Sequence, residues 1–311
     1  MSIPDQIGKY EIRRKLGEGA TSIVYLGFDP FAGREVAVKA IFPEVLRDKE
    51  RGRMYRHLLM TEASLAGKLL HPHIVQIFDA VVDEEQSYIV MEYVSGGTLE
   101  PFCSPSNLLP VDRLVEIVFK CTRALDYAFR AGVTHRDIKP ANILLVEGGD
   151  SPERAGGDIK ISDFGAALMT GESTTRTQVS GVGSPAYMSP QQVRDMRLNH
   201  QTDIYSLGVV MYQLLTGRLP FQARNSYDMI YQIINSEPTR PSALRREIPP
   251  VLDAIVARAM AKDTKARVWT VDQAWSDTDT DRAKEAGVAW AAGSGLTWEQ
   301  KYARWLESFE R

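Results

Sequence analysis

The 311-residue chain is poor in several things, and each shortage excludes a class. It holds two cysteines, Cys103 and Cys121, in no metal-ligand or redox spacing, so a disulfide scaffold and a zinc ribbon are both excluded and a reducing compartment is expected. No run of about 18 apolar residues occurs, so no membrane span is expected. Residues 1–11 lack the charged-then-apolar pattern of a secretory leader. Charge of neither sign dominates: 37 Lys+Arg against 40 Asp+Glu gives a net charge of -3, which points away from nucleic acid and anionic membranes. Tryptophan is missing from the first 268 residues, and all five (Trp269, Trp275, Trp290, Trp298, Trp305) fall in the last 43.

What is present is ordinary globular material, 44% hydrophobic and 25% charged, with enough length for about two structural units. Residues 9–94 read mainly as strands. Tyr10, Ile12 and Leu16 lead into a glycine turn, Ile23, Tyr25 and Leu26 follow, and the run from Glu35 to Lys39 resumes after Ala32-Gly33. One helix is expected over about 53–70, stopped by His71-Pro72, and then two apolar runs, 74–82 and 88–94, pair across a polar turn. From about 111 the period becomes helical, with Leu114, Val115, Val118, Cys121, Leu125 and Phe129 recurring until Gly132. A second apolar helix is expected over 203–216, closed by Gly217. Strands first and helices after give an α+β class, not a doubly wound parallel sheet.

Three motifs carry chemistry. Gly17-Glu18-Gly19-Ala20-Thr21-Ser22-Ile23-Val24 puts glycines where backbone amides can approach phosphates. A strand rather than a helix follows it, so a dinucleotide fingerprint is excluded. Val36-Ala37-Val38-Lys39 sets a lysine at the end of an apolar strand, where it needs an anion such as Glu62 or a ligand phosphate. The strongest is His135-Arg136-Asp137-Ile138-Lys139-Pro140-Ala141-Asn142, followed 21 residues after Asn142 by Asp163-Phe164-Gly165. Asn142 and Asp163 make an oxygen pair suited to Mg²⁺, Asp137 can accept a proton or orient a hydroxyl, and Lys139 can neutralise transferring charge.

With these motifs in this order, the chain resembles the Hanks-type protein kinases, and within them the bacterial Ser/Thr kinases. The resemblance covers residues 9–277. It implies a two-lobed fold, with a small antiparallel-sheet lobe bearing one helix (about 9–92) and a larger, mainly helical lobe (about 95–277). It further implies that Leu16, Gly17, Gly19 and Val24 cover ATP, that Lys39 paired to Glu62 holds the phosphates, and that Met91, Glu92 and Val94 form the adenine hinge, with Ala37 and Leu144 lining the base. Asp137 and Lys139 would be catalytic, and Asn142 with Asp163 would hold Mg²⁺, for which Mn²⁺ could substitute. Lys139-Pro140-x-Asn142 and Gly183-Ser184-Pro185-Ala186-Tyr187 resemble the Ser/Thr-specific forms, with Ser184 bonding Asp137 and Lys139. The implied function is ATP-dependent phosphorylation of protein Ser/Thr residues in the cytoplasm. The rival reading, a pseudokinase scaffold, would require one of Lys39, Asp137, Asn142 or Asp163 to be lost, and all four are present.

Two departures from the family pattern stand out, and the first is Ser22 in the place of the third glycine, which adds a Cβ to the loop. Arg136 resembles the arginine that receives an activation-segment phosphate, and Thr175 and Thr177 are the expected autophosphorylation sites. The family's Ala-Pro-Glu reads Ser189-Pro190-Gln191, so a pair between that Glu and a buried arginine, here Arg267, gives way to a neutral hydrogen bond at a cost of about 1–3 kcal/mol. His71 and His73 read as a structural turn, and the basic residues 47–56, diluted by Asp48 and Glu50, as a solvated helix face. Residues 278–311 fall outside the resemblance. Thr297 caps a stripe of Trp298, Tyr302, Trp305, Leu306 and Phe309, which suits a helix folded back on the body or one that docks a partner or a second copy.

Overall fold

The computed structural model describes residues 3–47, 52, 56, 59–60, 67–83, 86–147, 158–164, 185–194, 196 and 198–267. Glu62, Thr175, Thr177, Ser184 and the 278–311 extension lie outside the described residues. The chain divides into two compact units, 1–100 with 127–184, and 101–126 with 185–311.

The first unit is built on a six-stranded antiparallel sheet: β1 (Gln6–Ile7), β2 (Tyr10–Glu18), β3 (Ser22–Asp29), β4 (Arg34–Ile41), β5 (Ile77–Val81) and β6 (Tyr88–Glu92), in the order β1-β2-β3-β4-β6-β5. The period-two pattern of β4 explains its central place. Val36 and Val38 lie on one face with Tyr10, Tyr25, Tyr88 and Val90 in a closed apolar cluster. On the same strand Ile41 joins Leu46, Leu59 and Ile89 in a second cluster. Leu46 comes from the short helix α1 (Pro43–Arg47). A two-stranded ribbon, β7 (Ile143–Val146) with β8 (Asp158–Ile161), completes this unit. The short strand β1 was not expected from sequence; two residues are too few to show a period.

The unit boundary falls inside the 20-residue helix α2 (Val111–Arg130). Its buried residues are Leu114, Ile117, Cys121, Ala124, Leu125 and Ala128. The face is rotated from the expected stripe: Val115 and Val118 are half-buried and Phe129 is exposed, because spacings of 3, 4, 3 and 4 from Leu114 follow the helical period more closely. Gly132, at φ 79°, ends the helix region as expected.

In the second unit α3 (Pro190–Val193) follows the 3₁₀ turn Pro185–Tyr187. Next comes α4 (Gln201–Thr216), which is buried on almost every side and therefore shows little amphipathicity. The helices α5 (Ser226–Asn235), α6 (Pro241–Leu244) and α7 (Pro250–Ala259) follow. α4 meets α7 at Gly208, where a Cβ would stand 2.8 Å from the Ala259 Cβ. Gly217 closes α4 in the left-handed region, its N–H donating to the Gln213 carbonyl. No helix among the described residues is long and apolar enough to cross a membrane.

Candidate active site

The glycine turn sits between β2 and β3. The Gly19 N–H donates to the Ser22 carbonyl at 2.8 Å, and Gly17 faces Val24 across the ladder beside a register shift. A Cβ on Gly17 would meet nothing within 4 Å, and one on Gly19 only Ser22 at 3.8 Å. Neither glycine has a positive φ. Nothing in the described protein therefore demands glycine there, and the open space suits close approach of a ligand's phosphates.

Below the turn, β-sheet register assembles the remaining sequence-predicted positions. Val24 pairs with Lys39, and Ala37 with Met91. Glu92 ends β6; its N–H donates to the Gln76 carbonyl, and its carboxylate is held by Lys160 at 3.0 Å. Val94 lies two residues on. Leu16 lies in β2, and Leu144 lies in β7, bridged to Thr98 just beyond Val94.

Asp137, Lys139 and Asn142 form a tight knot around the 3₁₀ turn Pro140–Asn142. Lys139 Nζ lies 2.7 Å from Asp137 Oδ2. The Asn142 amide donates to the Asp137 carbonyl at 2.8 Å and to its Oδ2 at 3.1 Å. Asn142 is buried, and both of its side-chain bonds are made by its nitrogen, so its side-chain oxygen takes no bond among the described residues. The knot is tied to Asp163 through the backbone: the Ser162 N–H donates to the Asn142 carbonyl at 2.9 Å, and His135 Nε2 lies 2.8 Å from the Ser162 carbonyl. His135 is fully buried, with its ring edge-on to Phe164 at 4.6 Å.

Asp163 meets Lys39 across 124 residues of sequence, with Nζ to Oδ1 at 2.6 Å. Burial pushes its carboxyl pKa up, but the charge and hydrogen bond of Lys39, then His135 and Lys139, outweigh burial and hold it below the ordinary carboxylate value. Asp163 (φ 58°) and Arg136 (φ 68°) both adopt left-handed backbone. Such residues cost about 1–3 kcal/mol each and persist where the surroundings over-determine them. Here the Asp137 N–H donating to His135 Nδ1 and the Ser162 contacts do so.

The donor set fits a divalent metal. The Asn142 oxygen and the second Asp163 oxygen are both unspent among the described residues, and two hard oxygens suit a cation completed by waters and ligand phosphates. Among the described residues no three His, Cys, Asp or Glu side chains gather into a closed metal cage.

The comparison with known proteins decides the family: the chain matches the protein kinase domain over residues 10–277. The chain belongs to the protein kinase family. Its fold is the two-lobed kinase fold, and members of the family use ATP and a divalent metal. This kinase chain is 38% identical over 272 residues to a probable serine/threonine-protein kinase of Streptomyces coelicolor, covering 86% of this chain and 39% of that protein. It is 35% identical to the serine/threonine-protein kinase PknB of Mycobacterium leprae, covering 89% of this chain and 44% of the relative. It is also 34% identical to PrkC of Bacillus subtilis, covering 89% and 42%. The kinase chain thus spans less than half the length of these curated relatives. Among solved structures it is similar to the Mycobacterium tuberculosis PknI kinase domain, with TM-score 0.66 and 26% identity, covering 86% of this chain and 95% of that one.

Three features of the kinase site were not foreseen from sequence: the Lys39–Asp163 pair, the packing of His135 on Phe164, and the Lys160–Glu92 pair at the end of β6. His71 and His73 form the expected turn. The His73 N–H donates to His71 Nδ1, and the His71 ring lies against Tyr127. Arg267 is buried, as expected of the family's arginine. Gln191 donates to the Lys262 carbonyl instead of pairing with it.

Proposed function

We propose that this chain is the catalytic domain of a Ser/Thr protein kinase, occupying residues 9–277, that moves the γ-phosphoryl group of ATP to Ser or Thr hydroxyls of proteins. The observation that carries the reading is the Asp137–Lys139–Asn142 knot joined through Ser162 to the Lys39–Asp163 pair. In this reading Gly17, Gly19, Leu16 and Val24 cover the nucleotide, Ala37, Met91, Glu92, Val94 and Leu144 take its base, and Lys39, supported by Glu62, orients the phosphates. Asn142 and Asp163 hold Mg²⁺, which supplies charge neutralisation at the phosphates when bound.

Asp137 accepts the proton of the acceptor hydroxyl as the oxygen–phosphorus bond forms and the bond to ADP breaks. Lys139, already against Asp137, sits where it can offset the negative charge moving to the acceptor. Ser184 and the following Pro185–Tyr187 turn present the acceptor peptide, and the Lys139-Pro140-x-Asn142 form supports Ser/Thr over Tyr. Arg136 receives phosphate from Thr175 or Thr177 after self-phosphorylation. Residues 278–311 add a helix that folds back or docks a partner or second copy. Both cysteines are free thiols, which supports a reducing, cytoplasmic setting.

Incubation with Mg-ATP and casein, followed by phosphoamino-acid analysis, tests the reading. Phosphoserine and phosphothreonine are the expected products. Phosphotyrosine alone, or no transfer, would overturn it.

A further inference from the structure

Arg267 is one of the largest buried side chains of the second unit, 2% exposed. Its guanidinium donates to three backbone carbonyls: Nε to Ala261 at 2.5 Å, Nη1 to Gln201 at 3.2 Å and Nη2 to Lys262 at 3.3 Å. It also lies over the Tyr205 ring at 5.0 Å. Among the described residues no carboxylate pairs with it. Burial lowers its pKa to about 10, against the opposing pull of Tyr205 and Asp263. A second cation crowds the same place. Lys262 Nζ donates to the Ile233 carbonyl at 2.8 Å and sits 4.4 Å over Phe221; burial and Arg267 lower its pKa while Glu237 raises it.

Gln191 reaches into this cationic centre. Its Nε2 donates to the same Lys262 carbonyl that Arg267 uses, at 3.2 Å, so the amide tip and the guanidinium share one acceptor. Its Oε1 is buried without a hydrogen-bond partner among the described residues. An unsatisfied buried acceptor beside a cation that faces only carbonyls and a ring marks a position where a carboxylate of the same shape would supply the opposing charge. Gln191 is the second residue of α3, just beyond the Pro185–Tyr187 turn, and three further anchors of that stretch are neutral too. Tyr187 donates to Gln213 Oε1 at 2.6 Å, Ser206 donates to the Tyr187 carbonyl at 2.8 Å, and Ser189 and Gln192 form a reciprocal capping box.

We infer that Gln191 is a positioning residue: its neutral clasp on Lys262 holds the start of α3 by an uncharged bond where a carboxylate would add a charged one to Arg267, and so sets the affinity for protein acceptors below what a carboxylate at this point would give. The acceptor part rests on the kinase reading above; the clasp itself does not.

The test compares the full chain with Gln191→Glu and Gln191→Met, by amide hydrogen exchange of 185–192 and by separate KM values for casein and ATP. Charge-assisted bonds are roughly twice as strong as neutral ones. Gln191→Glu is therefore expected to slow exchange by about tenfold and to lower the KM for casein by about threefold to tenfold, with the KM for ATP unchanged. Gln191→Met should do neither. Exchange unchanged or faster in Gln191→Glu, or a parallel change in both KM values, would overturn the inference in an active enzyme. If exchange slows but no variant transfers phosphate, the kinase reading fails, and the acceptor-affinity part falls with it.

Discussion

Lys39→Met and Asp163→Asn, made singly and together, measure the link that ties the sheet to the catalytic knot. The two side chains meet at 2.6 Å and are 20% and 36% exposed. Breaking a fully buried pair costs about 3–5 kcal/mol, and a fully exposed one is worth at most about 1, so this half-buried pair should show a coupling of about 2 kcal/mol in the double-mutant cycle. Lys39 has further interactions, which the cycle subtracts because they are lost equally on both sides. The pH dependence supplies a second reading. Asp163's folded pKa is depressed, so its contribution to stability is complete above the ordinary carboxylate range and is lost as pH falls through the folded value. In Lys39→Met the largest influence opposing burial is gone, the carboxyl pKa rises, and Asp163's share of the stability lost on acidification shrinks or reverses. Urea denaturation from neutral to acid pH for all four proteins reads both quantities. A coupling of a few tenths of a kcal/mol, or a loss of stability on acidification as large in Lys39→Met as in wild type, would refute this account of the pair.

Other expectations follow from the same geometry. Asp137→Asn keeps shape but removes the negative charge that Lys139 faces and the proposed proton acceptor. With Asp137 39% exposed, stability should change by under about 1 kcal/mol, while phosphate transfer falls by about 10²–10⁴-fold in initial-rate assays. Gly217→Ala should cost about 2–4 kcal/mol by urea midpoint, because φ is 70° and the new Cβ would lie 2.4 Å from the Pro105 nitrogen. Gly33→Ala, at φ 64° with nothing within 4 Å, should cost only about 1–2 kcal/mol. Burial lowers the Lys262 pKa from 10.5 to about 8, so the folded state releases this proton first and the burial penalty lifts as pH rises between those values. Stability of the wild type should therefore rise across that window relative to Lys262→Met, and parallel pH curves would count against it.

The parts of this kinase that were legible in sequence are those whose chemistry is local. Asp137, Lys139 and Asn142 lie within six residues, and the structure joins them through side chains of that same segment. The helix stop at Gly217 was legible for the same reason, since a left-handed cap needs only one glycine in place. What escaped depends on distance or on backbone angle. Nothing near Lys39 announces Asp163, 124 residues on, as a partner; the sheet register and the Ser162 contacts bring it there. The left-handed backbone at Arg136 and Asp163 has no compositional sign, because neither residue is a glycine. Gln191 was visible as a departure, but that it shares the Lys262 carbonyl with Arg267 and leaves Oε1 unbonded required the fold.

The central claim is that one constellation, Lys39, Asp137, Lys139, Asn142 and Asp163, performs ATP-dependent phosphate transfer. Intact-mass measurement of the full chain after incubation with Mg-ATP tests it most directly, with Asp137→Asn run in parallel. The account predicts mass increments of whole phosphoryl groups on the wild type, mapping to Ser or Thr, and none on the variant. An unmodified wild type that also leaves casein unlabelled, or a variant labelled to the same extent as wild type, would contradict it.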